Sequence, residues 1–414
     1  MKVLFLASYF PKPDNPVMGT WALSQARALV RQGIELQVIS FTSWVPRAIA
    51  FTSGAKSYAN CPEEYTWAGD VKVKYPRWLY YPVPPLKQKA HVNPTPYLKL
   101  ALWSARKTLI SEIEHFQPDV IFCHHSLPNG WMVTHLPKKY QRPLFILEHD
   151  FDEISDCHSM PKRHHAFARV ANRATGLMAV SQRMEDDMRS LFPQATIFTH
   201  HNGVELIPAE IENTPRPAEI ADKTVILCCA IFAERKGIPL LIEAFAKIAA
   251  RYPDAILRII GGGPEAEKIR DTVTKLKLKD KVQLLGKQNH DLVLQEMVWA
   301  DCFALVGWDE PFATVYLEAM AAGKPIICCN DGGINDVIQN KIHGLTVPPK
   351  DLEATAKALE RMLAHPQQRQ QMGKEAKNLI ERSLTWDAKA RELIERFERA
   401  ITPSLPQELI QPKT

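Results

Sequence analysis

Residues 303–333 read FALVGWDEPFATVYLEAMAAGKPIICCNDGG. The stretch opens in an apolar run, 302–306, and closes in another, 326–329, each of strand length and without helical period. Between them Leu317, Met320 and Ala321 recur at the spacing of one buried helical stripe. Thr314 is placed to cap the first turn, and Gly323 followed by Pro325 ends the helix. The local plan is strand, loop, helix, strand, with Glu310 on the loop and Glu318 about one turn inside the helix.

That plan has a chemical consequence. The first-turn amides of a helix lack intrahelical partners and carry the positive end of its dipole, so they attract a phosphate without any side chain. A carboxylate just ahead of them, Glu310, would then face hydroxyls carried on the far side of the phosphate. Glu318 could accept hydrogen bonds from the two adjacent hydroxyls of a ribose. A nucleoside diphosphate-sugar fits this order, lying over Glu310, the amides of Phe312, Ala313 and Thr314, and Glu318. The alternative is an ordinary α/β segment with solvated glutamates.

Two glutamates with seven residues between them, Phe312 after the first, EAMAAGKPII from the second and Gly332-Gly333 at the close resemble the donor-site motif of the family-4 retaining glycosyltransferases of the GT-B fold. The resemblance implies an α/β architecture of two Rossmann-like, doubly wound parallel-sheet domains facing a deep cleft. Residues 1–205 would bind the acceptor, 206–222 would be a proline-rich linker, and 223–385 would bind the nucleotide-sugar. Helix 386–401 would pack back on the first domain.

The totals bound the reading. A chain of 414 residues is too long for one comfortable core. Charged residues are 23%, and no apolar run approaches the ~20 residues that span a bilayer. The net charge of +5 is uneven: 23 Lys and Arg against 17 Asp and Glu in 1–205 give +6, and 28 against 29 in 206–414 give −1. An anionic partner is therefore expected to meet the first half. The eight cysteines show no metal-ligand spacing, and Cys228-Cys229 and Cys328-Cys329 sit in apolar runs as small hydrophobes, which fits a reducing compartment. The apolar start reaches Pro11 too soon for a signal peptide and reads as a first strand. A cytoplasmic protein, peripheral on the inner face of a membrane, is the expectation; nucleic acid is not expected as a partner.

In the first half, the run 3–7 reads as a central parallel strand. Gly19 opens the following helix, where it either lets an anion approach the backbone or merely serves a tight turn. Residues 51–108 read as irregular, with nine Lys or Arg, three acids, and Tyr75, Trp78, Tyr80, Tyr81, Tyr97 and Trp103. That mixture suits a membrane interface or a saccharide, or else the rings simply pack beneath a proline-rich loop. Two further strands end in His124-His125 and in Glu148-His149-Asp150-Phe151-Asp152, where ligands of open α/β sheets gather. Three readings stay open for the second: an Asp-x-Asp holding a metal, a satisfied strand-end histidine, or the family's His-x-x-Asp segment. The last implies His149 near acceptor and donor sugar, Asp152 and His124 on the acceptor side, and no metal.

In the second half, AIFAERKG resembles the family's Gly-Arg-Leu-x-x-x-Lys-Gly. Lys236 and Gly237 match, but Ile231 stands where the family has an arginine that helps hold the diphosphate. Arg235 from the loop, or the helix start alone, would have to assist Lys236. Gly261-Gly262-Gly263-Pro264 resembles the family's Gly-x-Gly-Pro turn, with Gly262 and Pro264 beside the donor. The resemblance implies metal-independent, retaining transfer of a hexosyl group to a saccharide, glycolipid or lipid-linked acceptor in polysaccharide or glycoconjugate synthesis. No cofactor is expected beyond the nucleotide-sugar co-substrate. Glu310, His149 and Lys236 would be catalytic. Two rival classes remain: a GT-B epimerase or phosphorylase, and a non-catalytic saccharide-binding subunit.

Overall fold

The computed structural model describes residues 1–16, 18–80 and 86–402; Tyr81 of the aromatic cluster lies outside them. The chain divides into two compact units, Met1–His201 joined by the segment from Trp386, and Asn202–Thr385.

The first unit is built on β1 (Lys2–Leu6), β2 (Glu35–Ile39), β3 (Thr42–Ser43), β4 (Glu64–Trp67), β5 (Val71–Lys74), β6 (Arg77–Trp78), β7 (Val120–His124), β8 (Leu144–Glu148), β9 (Gly176–Ala179) and β10 (Ile197–Thr199). Eight of these form one sheet in the order β10-β9-β8-β7-β1-β2-β5-β4, parallel except for the β4–β5 hairpin. Val3 to Leu6 are wholly buried, as continuous apolar strands covered on both faces must be. The helix Trp386–Ile401 belongs to this unit and buries Trp386, Ala390, Leu393 and Phe397 along one stripe. The Phe397 ring lies 5.8 Å from Phe122 on β7 and 4.9 Å from Phe145 on β8.

The second unit carries β11 (Thr224–Ile231), β12 (Ala255–Gly262), β13 (Val282–Gly286), β14 (Cys302–Ala304), β15 (Ile326–Cys329) and β16 (Gly344–Val347), ordered β13-β12-β11-β14-β15-β16 and parallel throughout. This is the doubly wound order, which reverses between β11 and β14. Behind the sheet, buried Arg258 on β12 holds Glu296 of the helix His290–Trp299 with two hydrogen bonds, Nε at 2.8 Å and Nη2 at 2.5 Å.

Several local expectations change. The described residues of 51–108 are largely regular, holding the helix Ser53–Asn60, the β4–β5 hairpin, β6, the helix Leu86–Val92 and most of the helix Thr95–Phe116. Of the described prolines there, Pro62 and Pro76 lie between elements and Pro94 and Pro96 open the helix Thr95–Phe116, where a missing N–H costs little. The supposed linker 206–222 lies in the second unit. Ile211 and Ile220 are buried, Trp299 Nε1 donates to Thr214 O at 3.2 Å, and Arg216 binds Asp301 at 3.0 Å. Isolated apolar residues in a proline-rich segment leave no period to read. Thr314 is not the cap of its helix: Thr314–Ala321 is preceded by Ala313 at φ −72°, ψ 115°, and no side chain caps it. Capping needs that extended backbone at the residue whose oxygen folds back, and Thr314 is already helical.

Candidate functional site

Ligands of open α/β sheets collect beyond the carboxyl ends of the strands where the order reverses, here β11 and β14. Three loops are tied together at that point. Trp308 N–H donates to Arg235 O at 2.9 Å, joining the loops after β14 and β11. Gly333 N–H donates to Glu310 O at 2.9 Å, and Asp309 N–H to Asp331 Oδ2 at 3.1 Å, joining the loops after β14 and β15. Gly237 makes the approach possible: its backbone is left-handed at φ 63°, and a Cβ there would meet Val306 O at 2.5 Å.

At the centre is an ion cluster. Arg235 Nη1 lies 3.0 Å from Glu310 Oε1, and Lys236 Nζ lies 2.7 Å from the same carboxylate. The Glu310 side chain is 4% exposed, that of Lys236 14% and that of Arg235 47%, so the carboxylate is the buried partner and the cations lie outward of it. Ile231 ends β11 with its side chain in solvent, 68% exposed. The second cation at Glu310 is therefore Arg235, supplied from the loop.

Phe312 is buried while Ala313 and Thr314 are half-buried at the uncapped helix start. On that helix Glu318 is half-buried; the Cys229 thiol on β11 is pushed up by burial first and by the Glu318 charge second. Burial raises the Glu318 carboxyl above its ordinary range, and His290 opposes the shift. Gly262 pairs with Ile231 in the β11–β12 register, and Phe232 N–H donates to Gly262 O at 3.1 Å, which sets the Gly262-Gly263-Pro264 turn beside the β11 loop.

The first unit gathers a different set at its own strand ends. His124 Nε2 and Gln25 Oε1 are 2.7 Å apart, and the His124 and His149 rings are 4.4 Å apart. His125 is 5.5 Å from His149 by ring centres. His200, just after β10, also acts electrostatically on His124 and His149, a role that its position in sequence did not suggest. Burial first, and neighbouring histidines second, hold His124 and His149 well below the usual imidazole value; His200 is lowered by burial and by Lys389. His125 is raised: burial alone would lower it, but the Glu148 carboxylate overrides that.

Asp152 is exposed on the helix Phe151–Ser155, and it is Asp150 whose charge reaches Tyr9 and His125. Gly19 turns the chain at φ 77°, where a Cβ would lie 2.3 Å from Tyr9 O; its conformation is demanded by this chain's own packing. Among the described residues no three His, Cys, Asp or Glu side chains converge as a metal site, and no helix is long and apolar enough to cross a membrane.

Residues 18–206 match the family described as Glycosyltransferase Family 4, and residues 210–379 match Glycosyl transferases group 1. A glycosyltransferase of Methanocaldococcus jannaschii, itself uncharacterized, is 28% identical over 302 residues, 68% of this chain and 76% of that protein. A Bacillus subtilis protein, provisionally named a teichuronic acid biosynthesis glycosyltransferase, is 25% identical over 368 residues, 87% of this chain and 89% of its own. The crystal structure of Anabaena HepE in complex with UDP superposes with a TM-score of 0.71 at 18% identity, covering 96% of this chain and 100% of that one, a likeness of fold. Two parallel Rossmann-like sheets and two family matches that together span most of the sequence lead to one assignment: the chain is a nucleotide-sugar-dependent glycosyltransferase and belongs to family 4, with the GT-B fold.

Proposed function

We propose that this glycosyltransferase moves a hexosyl group, with retention and without a metal, from a nucleoside diphosphate-sugar to a hydroxyl of a saccharide, glycolipid or lipid-linked acceptor. The observation that carries the reading is the convergence of Arg235 and Lys236 on buried Glu310 at the strand-order reversal of the second unit. In the proposed chemistry the C1–O bond to the diphosphate breaks and a C1–O bond to the acceptor forms on the same face. The acceptor's proton passes to the departing phosphate oxygen. Lys236, Arg235 and the Ala313 and Thr314 amides stabilise the charge developing there, preorganised rather than recruited. Glu310 orients the sugar hydroxyls, Glu318 takes the ribose hydroxyls, and Gly262 and Pro264 border the nucleotide. His149 and His124 are assigned to the acceptor side.

A place in cell-surface polysaccharide synthesis is supported by the likeness to the Bacillus subtilis protein. Peripheral contact with an anionic membrane, on the cytoplasmic side, is supported by the helix Thr95–Phe116. There Lys99, Leu100, Trp103, Arg106 and Lys107 are all exposed on one face.

Calorimetric titration with a panel of nucleotide-sugars, followed by mass spectrometry of products, tests the reading. One donor is expected to bind and to be consumed only with an acceptor. Turnover without acceptor would indicate an epimerase, and absence of binding a non-catalytic subunit. Glu310→Gln is expected to lower the transfer rate at least ~100-fold with the fold intact by circular dichroism; full activity would remove Glu310 from the site.

A further inference from the structure

The first unit's sheet also reverses its order, between β1 and β7. Beyond the carboxyl ends of β1, β7 and β8 lies a cavity of about 120 Å³, several times the ~10–15 Å³ that one water needs. The residues described as lining it all belong to the first unit. Tyr9 follows β1, His125 follows β7 and Glu148 ends β8 on one side. Tyr58, Trp78, Tyr80 and Tyr97, from the segment expected to be irregular, line it as well.

Two groups in this wall are built in but incompletely paired. Glu148 is 1% exposed; its Oε1 accepts from the Ser126 amide at 2.5 Å, and its Oε2 has no hydrogen-bond partner. His125 is 6% exposed, its Nδ1 is 3.7 Å from Glu148 Oε2, and its Nε2 also lacks a partner. Buried polar atoms are rarely left so without a reason. The buried cation of the lining, Arg163, is held by Glu153, and His91 is 2.6 Å from Asp156. Lys87 is exposed. The interior thus offers unsatisfied hydrogen-bonding groups and ring faces, with its buried arginine already matched. His125, raised by Glu148, is matched by that carboxylate, so a phosphate or carboxylate would face Glu148, Asp150 and Glu153 with the buried cations already matched, whereas a neutral ring bearing hydroxyls meets both kinds of wall.

We propose that this cavity binds one neutral pyranose ring of the acceptor, with Glu148 and His125 taking its hydroxyls and the aromatic wall its apolar face, so that Glu148 sets acceptor specificity. The inference rests on the transferase reading above. It is tested by saturation-transfer NMR of the full chain with the methyl pyranosides of glucose, mannose and galactose, and with methyl glucuronoside and glycerol phosphate as anionic controls. At least one neutral glycoside is expected to receive saturation. Ala90→Trp, which places a bulky side chain on the cavity wall, and Glu148→Gln are each expected to reduce the signal at least fivefold. Should Glu148→Gln fail to fold by circular dichroism, Ala90→Trp decides. Silence from all three neutral glycosides, a response confined to the anionic ones, or a signal untouched by Ala90→Trp would overturn the proposal. Titration of the same wild-type preparation with UDP and GDP keeps the two readings apart. Nucleotide binding without glycoside binding defeats only the cavity, and glycoside binding without nucleotide binding defeats only the donor site.

Discussion

Lys236 and Arg235 reach the same carboxylate from adjacent positions but differ in how much water surrounds them, the lysine being the more buried. A charge held out of solvent acts with less screening on an oxygen developing charge nearby. Lys236→Met is therefore expected to cost over ~100-fold in kcat, and Arg235→Ala less than ~10-fold, a ranking that single-turnover kinetics with the preferred donor would check. The reverse order would mean that the exposed arginine has taken over the place vacant at Ile231. Sequence made Lys236 legible through its motif but left Arg235 one of two options. Its link to Glu310 spans 75 positions and depends on which strands are neighbours.

At the scale of elements, the ends of β7, β8 and β10 bring buried His124, half-buried His149 and buried His200 together as imidazoles held toward the neutral form. Their folded values lie below the ~6.5 of an unfolded chain. Each then contributes stability that is fully present above that value and is lost as pH falls beneath it, because the unfolded state takes up protons first. His125 runs the other way: its raised value contributes fully below ~6.5 and is lost as pH rises through the folded value. His135, also lowered by burial, acts in the same sense, and four against one predicts that the melting temperature of the first unit falls between pH 7 and pH 5. His149→Gln should flatten that slope, and a melting temperature that rose on acidification would contradict the assignment. The strands themselves were readable as apolar runs, whereas the meeting of their terminal histidines was not.

For the molecule as a whole, the chain passes between its two units twice, near 201 and near 385. The first unit is completed only by the helix Trp386–Ile401, whose Phe397 seats on β7 and β8. Phe397→Ala should destabilise that unit by about 3–5 kcal/mol. Hydrogen exchange is expected to show β7 and β8 losing protection while β11 and β12 keep theirs. Equal loss in both sheets would mean that the units unfold as one.

Continuous apolar strands, a helix ended by Gly323 and Pro325, and two glutamates set in a thirty-residue context were enough for sequence alone to establish the parallel α/β class and the family. These features are local: burial on both faces, helix termination and motif spacing are written in neighbouring positions. Only the tertiary structure decided that Arg235 joins Lys236 at Glu310, that His200 joins His149, that Ile211 and Ile220 bury in the second unit, and that residues 51–108 help wall a cavity. Each depends on which strand ends and loops lie side by side, and sheet order is a global outcome of packing that no local period encodes.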